Sequence, residues 1–440
     1  MSEHATPRFA RKMNLHDWLT YLESLHPKTI ALGLERVAQV KQRLNLKPDF
    51  PIITVGGTNG KGSVCAMLES ILHAAGYRVG CYTSPHLLHY NERVRIAKRQ
   101  ASDAELCASF ERIEQVRGAA FSGISEVPLT YFEFGTLAAM QCFIEHKVDV
   151  AILEVGLGGR LDAVNVFDSD CAVVTSVDID HTDYLGDTRE QIAFEKAGIF
   201  RSGKVAICAD MDVPQAVTGY AEKIGAQLWR IGREFGFTEQ KTKQWNFRSI
   251  AGARNALPYP ALRGAFQLHN ASAALAALDA LKDKLPVSMG AVRHGLVEVQ
   301  LAGRFQFVPG RLTLILDVAH NPHAARSLAQ NLASLPPCPH TWAVFAMLKD
   351  KDMAGVAAAL DPLIDTWLVA GIDAPRGATV DVLAQVLRQS GVRGTIQTFN
   401  NITEAVSYAY NAAGENDRIA AFGSFYTVAE VMHARGLSVT

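Results

Sequence analysis

Residues 56–63 read GGTNGKGS, four glycines around a single lysine. Glycines let a backbone approach an anion closely, a helix that follows aims N–H groups at it, and Lys61 adds a full positive charge. The chemistry on offer is phosphate binding, through Asn59, Gly60, Lys61, Gly62 and Ser63. The usual G-x-x-x-x-G-K-[ST] pattern is not met, because Val55 holds the first glycine position and Gly62 separates Lys61 from Ser63. The setting gives the turn its meaning. An apolar run, PIITV at 51–55, leads into it, and Val64, Met67, Leu68, Ile71 and Leu72 follow at helical spacing, with Gly76 as a stop. Strand, glycine turn and amphipathic helix in this order predict a nucleoside triphosphate site; a plain glycine turn before a helix is the bland alternative.

Glu154 lies near the end of VDVAILEV at 148–155, and DIDHTDY at 178–184 follows CAVVTSV at 171–177. Ligands of an open parallel sheet collect beyond the carboxyl ends of its strands, so both ends serve one crevice if the two strands neighbour the phosphate strand. Mg²⁺ on nucleotide phosphates takes one or two carboxylates and keeps waters, so Glu154 with a hydroxyl near Ser84 suffices. His181 is a less usual ligand for so hard a cation, and a hydrogen-bonded histidine at a helix start is an equal reading. Thr188 and Gln191 have capping-box spacing and open a helix carrying Glu195 and Lys196. On its residues alone, Lys196 reads as a solvated helix lysine.

The elements that must position these groups are α/β in character. Short apolar runs, the last of the first series being KVAIC at 204–208, alternate with helical patterns, which predicts βαβ units and a mainly parallel sheet. Between 229 and 264 aromatic and polar residues with Gly and Pro punctuation predict a small antiparallel β insertion. A second series, at 311–318, 341–347, 366–372 and 417–424, predicts a smaller, separate α/β domain. The join is expected between Gly295 and Pro309, giving domains at 1–298 and 299–440. With 440 residues and roughly 150 per domain, a single small module is excluded.

Lys plus Arg is 43 against 44 Asp plus Glu, a net charge of −1, so no general field draws in nucleic acid or an anionic membrane. Seven cysteines lie far apart without a Cys-x-x-Cys pair, which predicts reduced thiols rather than a zinc or redox site. The polar start of the sequence shows no signal-peptide core and no run reaches the ~18 apolar residues of a membrane span, so the expected compartment is the cytoplasm.

A longer set of motifs carries a family resemblance: GGTNGKGS, TSPHL at 83–87, LTYFEFGTL at 129–137, ILEVGLGGRLDAVN at 152–165, DIDHTDYLG at 178–186 and EKAGIF at 195–200. LHNASAALAAL at 268–278, AGRFQ at 302–306, ILDVAHNPHA at 315–324 and FGSFYTVAEV at 422–431 continue it. The chain resembles the folylpolyglutamate synthase family, in particular its bacterial bifunctional members with dihydrofolate synthase activity, relatives of the Mur ligases. That resemblance implies an N-terminal P-loop ATPase domain of Mur-ligase type with the β insertion, and a smaller C-terminal Rossmann-like α/β domain. It also implies the reaction: ATP phosphorylates a folate-type carboxylate, and the amine of L-glutamate attacks the acyl phosphate to give an amide. Dihydropteroate, reduced folates, L-glutamate and ATP are the implied partners, Mg²⁺ (two ions) the cofactor, and a monomer the implied state.

By position, the resemblance implies that Lys61, Lys196 and His320 serve catalysis and that Ser84, Glu154, His181 and Lys196 hold metal. Lys196 would carry a carbamate, which requires a neutral amine and therefore a desolvated or charge-depressed lysine. Two ions roughly 3.5–4 Å apart could clamp the phosphoryl oxygens. On the second-domain side, Asn270, Arg304 and Asp317 match nucleotide contacts, and Asn321 with Pro322 reads as an N-cap and first helical residue. Thr130, Phe132 and Asp162 match pterin contacts, although Phe132 alone reads as core. KTIALGLERV at 28–37, with Leu32, resembles the loop that shapes the dihydropteroate pocket. Two positions depart from the pattern: Ala31, where some relatives have an acid, and Tyr426, where several have His. LKDKD at 348–352 receives no role, since a solvated charge cluster explains it. A Mur-type cell-wall ligase is the alternative, which the short segment before the glycine turn speaks against, and a nucleotide-binding regulator without chemistry is a third reading.

Overall fold

The computed structural model describes residues 13–26, 30–118, 125–241 and 243–439. Two compact units emerge. The first runs to Ser84 and takes in Tyr90–Tyr259 and His269–Val297; the second consists of Pro85–His89, Pro260–Leu268 and the chain from Glu298 onward. Two short segments thus pack with the second unit although they stand far before Glu298 in sequence.

The first unit is built on strands β1 (Ile52–Gly56), β2 (Val79–Tyr82), β3 (Val94–Ile96), β4 (Arg99–Gln100), β5 (Val150–Glu154), β6 (Cys171–Val174), β7 (Val205–Cys208) and β8 (Gln227–Arg230). They form one sheet in the order β4-β3-β2-β5-β1-β6-β7-β8, in which only β3 runs against the rest. Every residue of β1 and β5 is buried, as a parallel sheet covered on both faces requires. Register fixes the chemistry: β1 lies between β5 and β6, Val55 is level with Glu154, and Gly56 is level with Val174. The glycine turn therefore leaves the sheet between the two strand ends that carry the acids.

Strands β9 (Phe235–Glu239), β10 (Gln244–Ser249) and β11 (Gly252–Pro258) make the small antiparallel sheet expected in this region. It is tied to the helix Gln267–Ala280 by Asp279, which accepts from Ser249 Oγ and pairs with Arg254, both at 2.5 Å. His269 on that helix stands edge-on to Phe237, with ring centres 4.9 Å apart. The insertion thus braces the helix that carries Asn270.

The second unit holds β12 (Gln306–Val308), β13 (Thr313–Leu316), β14 (Thr341–Phe345), β15 (Thr366–Ala370), β16 (Thr395–Phe399) and β17 (Arg418–Phe422), ordered β12-β13-β17-β14-β15-β16. Only the edge strand β12 runs antiparallel. Side chains alternate between two apolar layers with the two-residue period of a strand: Phe345, Trp367 and Phe422 pack on one face, Val344, Leu368 and Ala421 on the other. Asn321 caps the helix Pro322–Ala333 through Ala324 N, and Ala325, Leu328 and Leu332 are its buried stripe.

Among the described residues no helix is long and apolar enough to cross a membrane. The phosphate-turn helix Lys61–Ala74 is buried along most of its length, and Gly295, on the helix Met289–Glu298, approaches it so closely that a Cβ there would lie 2.5 Å from Ile71 Cα. Gly295→Ala is expected to cost about 1–3 kcal/mol through overpacking. A urea midpoint equal to the parent's would show that this contact is not tight.

Candidate active site

Four residues, 57–60, join β1 to the helix Lys61–Ala74, and two of them must be glycine. Gly57 has φ +145° and a Cβ there would overlap Thr175 Oγ1; Gly60 has φ +88° and a Cβ would lie 2.5 Å from Asn270 Oδ1. The turn is held from the continuation of β6. Ser176 O accepts from Thr58 N at 2.8 Å, Ser176 Oγ accepts from Asn59 N at 3.0 Å, and Thr175 Oγ1 donates to Asn59 O at 2.6 Å. Thr58 Oγ1 is doubly engaged with the backbone of Asp178. No side chain caps the helix at Gly60, and Lys61 Nζ lies over the turn, donating to Gly57 O (3.1 Å) and Thr58 O (3.3 Å). An uncapped helix start beside an ammonium, on a turn already fixed by other bonds, is what an anionic phosphate requires.

Glu154 is 4% exposed, and its Oε2 accepts from Ser84 N at 3.1 Å. Ser84 follows β2 and Glu154 ends β5, adjacent strands, so the pairing of these two expected metal contacts is a consequence of sheet order. His181 starts the short helix Thr182–Leu185 with φ +54°; its N–H donates to Asp180 Oδ1 at 2.9 Å, and its Nε2 stands 3.9 Å from the same carboxylate. Among the described residues no three His, Cys, Asp or Glu side chains are grouped for a metal. The donor pair Ser84 and Glu154 suits a hard cation that keeps waters and phosphate oxygens.

Lys196 sits on the helix Arg189–Ala197, whose start is the expected Thr188–Gln191 capping box. It is 3% exposed, so the solvated-lysine reading is corrected. Burial, then the charge of Lys61, push its ammonium down to about 7, while Asp180 opposes the shift. The helix is pressed against the glycine-rich 156–160 segment: Arg160 N donates to Glu195 O at 2.7 Å, and a Cβ at Gly159 would lie 2.8 Å from that same oxygen.

Asp162 is 5% exposed, with Oδ2 accepting from Leu157 N (2.8 Å) and Oδ1 from Val164 N (3.1 Å). Burial raises its carboxyl to about 7 against those backbone bonds and the charge of Lys61. The half-buried Phe132 ring rests on Gly156, where a Cβ would be 2.8 Å away, and lies 5.8 Å from the Tyr82 ring. Thr130 is buried and occupied as the N-cap of the helix Tyr131–Glu145, in a capping box with Glu133. That Thr-x-x-Glu spacing was legible in the sequence and explains the residue without a ligand. Leu32 is partly buried, and its neighbour Gly33 donates to Leu161 O at 3.3 Å, next to Asp162. Of the segment 28–37, Lys28 and Thr29 lie outside the described residues.

In the second unit Asp317 follows β13 and accepts from Phe305 N and Ala319 N, both at 2.8 Å. Burial raises its carboxyl and Arg304 opposes the rise. The Arg304 guanidinium lies 5.1 Å from the Phe425 ring centre, and His320 Nδ1 is 2.8 Å from Val318 O. Asn270 is corrected: it belongs to the first unit, against Gly60, and not to the Arg304 and Asp317 side. The LKDKD run is structural, since Asp350 pairs with Arg376 and Asp352 caps the helix Met353–Leu360. Tyr426 is exposed. Sequence reasoning passed over Thr175, Ser176 and Asp180; the hydroxyls ending an otherwise apolar strand were the available signal.

The chain matches the family profile of the Mur ligase middle domain over residues 55–278 and that of the Mur ligase glutamate ligase domain over 303–425. Fold and site therefore define a Mur-type ligase. Two curated relatives span nearly the whole chain. The dihydrofolate synthase/folylpolyglutamate synthase of Escherichia coli is 46% identical over 419 residues, 95% of this chain and 94% of the relative. That of Haemophilus influenzae is 43% identical, covering 94% and 96%. Escherichia coli FolC in complex with DHPP and ADP superposes with a TM-score of 0.90 at 45% identity, covering 96% of this chain and 98% of that one. A bifunctional synthase with Mn, AMPPNP and L-glutamate bound gives 0.88 at 47%, covering 97% and 98%. The chain belongs to the dihydrofolate synthase/folylpolyglutamate synthase family.

A lysine whose ammonium is depressed in the fold destabilises it fully below the folded pKa, and the penalty is lost as pH rises from there to the unfolded value. In CO₂-free buffer, stability should therefore rise between pH 7 and 10.5 by up to about 1.4 kcal/mol per pH unit from Lys196. Lys196→Met should flatten that slope in urea titrations, and parallel pH curves for the two proteins would refute the burial of a neutral amine.

Proposed function

We propose that this protein joins L-glutamate to dihydropteroate, giving dihydrofolate, and to the γ-carboxylate of reduced folates, with ATP consumed to ADP and phosphate. The observation that carries the reading is the placement of Lys61, Glu154 and Lys196 around one glycine turn whose backbone is already fixed. A free carboxylate is a poor electrophile. Transfer of the γ-phosphoryl to its oxygen makes an acyl phosphate, the amine of glutamate attacks the carbonyl carbon, and phosphate departs as the amide forms.

In this reading the turn residues 59–63 bind the phosphates and Lys61 leaves its carbonyl contacts to meet the transferring group. Asn270 lies against the same turn, while Arg304 and Asp317 offer a cation and a carboxylate suited to phosphate and ribose. Ser84 and Glu154, with His181, would hold a divalent cation, which would offset charge on the phosphates. Lys196 is buried and depressed enough to present a neutral amine to CO₂; the carbamate formed, with loss of a proton, would turn a repelling cation into an anion beside Lys61. For His320 the catalytic role rests on the motif resemblance alone. Phe132 offers a ring to stack on and Asp162 a carboxylate for the donors of a pteridine edge, with the Leu32 segment beside them. Cys65, Cys81, Cys142, Cys171, Cys208 and Cys338 are free thiols, which suits a cytoplasmic enzyme. Support for a folate rather than a cell-wall substrate comes from the relatives that span the chain.

With purified protein, Mg²⁺ and ATP, ADP release should require both glutamate and either dihydropteroate or tetrahydrofolate. Lys61→Ala should reduce it by a factor of at least about 10². Release without an acceptor, or full turnover by the variant, would overturn the reading. Asp162 must be ionised to accept two donors, so the KM for dihydropteroate should climb as pH falls through about 7. Asp162→Asn should remove that dependence while raising KM at pH 8; a profile still bending in the variant would exclude this carboxyl.

A further inference from the structure

We propose that Arg36 is a positioning residue for the pteridine substrate, joining the loop around Leu32 to the start of the helix that carries Phe132. The proposal rests on the assignment of Phe132, Asp162 and the Leu32 loop to that substrate. Arg36 lies on the helix Glu35–Arg43, and its side chain is 25% exposed. Its Nη2 donates to Ala31 O at 2.7 Å and to Glu133 Oε1 at 2.8 Å, and its Nε reaches Glu133 Oε2 at 3.3 Å.

Glu133 is the other half of the connection. Its side chain is 4% exposed, and its Oε2 accepts from Thr130 N at 2.7 Å while its own N–H donates to Thr130 Oγ1 at 3.2 Å. A capping box needs only one carboxylate oxygen, so the second oxygen and the buried charge call for a cation, which Arg36 supplies. One planar guanidinium therefore fixes the 31–33 loop against the first turn of the Phe132 helix. Gly33 N, bonded to Leu161 O, closes the circuit next to Asp162. The contact at position 31 is with a main-chain oxygen, so it does not depend on the alanine side chain there.

The phosphate turn is braced separately, by Thr175 and Ser176. Loosening the Arg36 connection should thus leave ATP binding alone and oblige the pteridine to order its own pocket on binding. A merely structural role would move all the constants together.

The test is steady-state kinetics of Arg36→Met, Arg36→Lys and Glu133→Gln with dihydropteroate varied at saturating ATP and glutamate, and then with ATP varied. Arg36→Met should raise the KM for dihydropteroate at least about tenfold, with kcat and the KM for ATP within about twofold. Arg36→Lys should fall between, because an ammonium can pair with Glu133 but lacks the fork that also reaches Ala31 O. Glu133→Gln keeps the capping-box geometry and removes the charge, so it should move the same constant in the same direction; these two milder variants decide the matter if Arg36→Met does not fold. Unchanged KM for dihydropteroate in all folded variants, or an equal rise in the KM for ATP, overturns the role of Arg36. Phe132→Ala, assayed alongside, separates the two levels: if it too leaves the KM for dihydropteroate unchanged, the pocket assignment itself fails, and if it alone raises that KM, only Arg36 is dismissed.

Discussion

A buried amine beside a partly exposed cation sets the terms for the first unit. Lys61 must stay charged to be of use to a phosphate, yet its field acts on Lys196, which is buried at the same place. Burial of Lys196, and then the like charge of Lys61, lower the proton affinity of the more buried amine. The remaining features follow from keeping that arrangement fixed. Glycines at 57 and 60 bring the turn against Thr175 and Asn270, the 156–160 segment presses on the Lys196 helix, and the order of β5, β1 and β6 aligns the strand ends.

The sheet order does more than collect acids. Because Glu154 ends a strand adjacent to both β1 and β2, its carboxylate is within reach of Ser84 and beside the glycine turn without any loop having to carry it there. Groups on the ends of rigid strands are placed more accurately than groups on loops. By contrast His181 stands on a left-handed backbone at the start of a short helix, and its ring remains at 3.9 Å from Asp180.

Much of this was legible in the residues. Apolar runs ending in Glu154 and before Asp178 gave the parallel sheet, and the glycine turn declared itself by the strand before it and the helix after it. Capping-box spacing located Thr188 and, in retrospect, Thr130. What linear reading missed is set by distance in sequence. Lys196 looks solvated because its helix carries polar neighbours, while in the fold it is buried and the 156–160 segment packs against that helix. Asn270 reads with the second half of the chain, while its helix is braced by the β insertion against the first. Arg36 is one of three basic residues in an otherwise ordinary polar helix, and its partner stands 97 positions away.

Asp162 and Lys196 carry the argument one step further. Burial raises the carboxyl and lowers the amine, and both arrive at about 7, so desolvation dominates each in spite of opposite charge. The charges that act on Lys196 are those of Lys61 and Asp180, and the large charges the site handles come with the substrates. The cost of removing water from Asp162 and Lys196 has already been met in folding, by the backbone bonds of Leu157 and Val164 and by the packed helix around Lys196. Binding then changes proton affinities by supplying charge rather than by excluding solvent, which is the condition under which a preorganised site stabilises a transferring phosphoryl without having to rearrange.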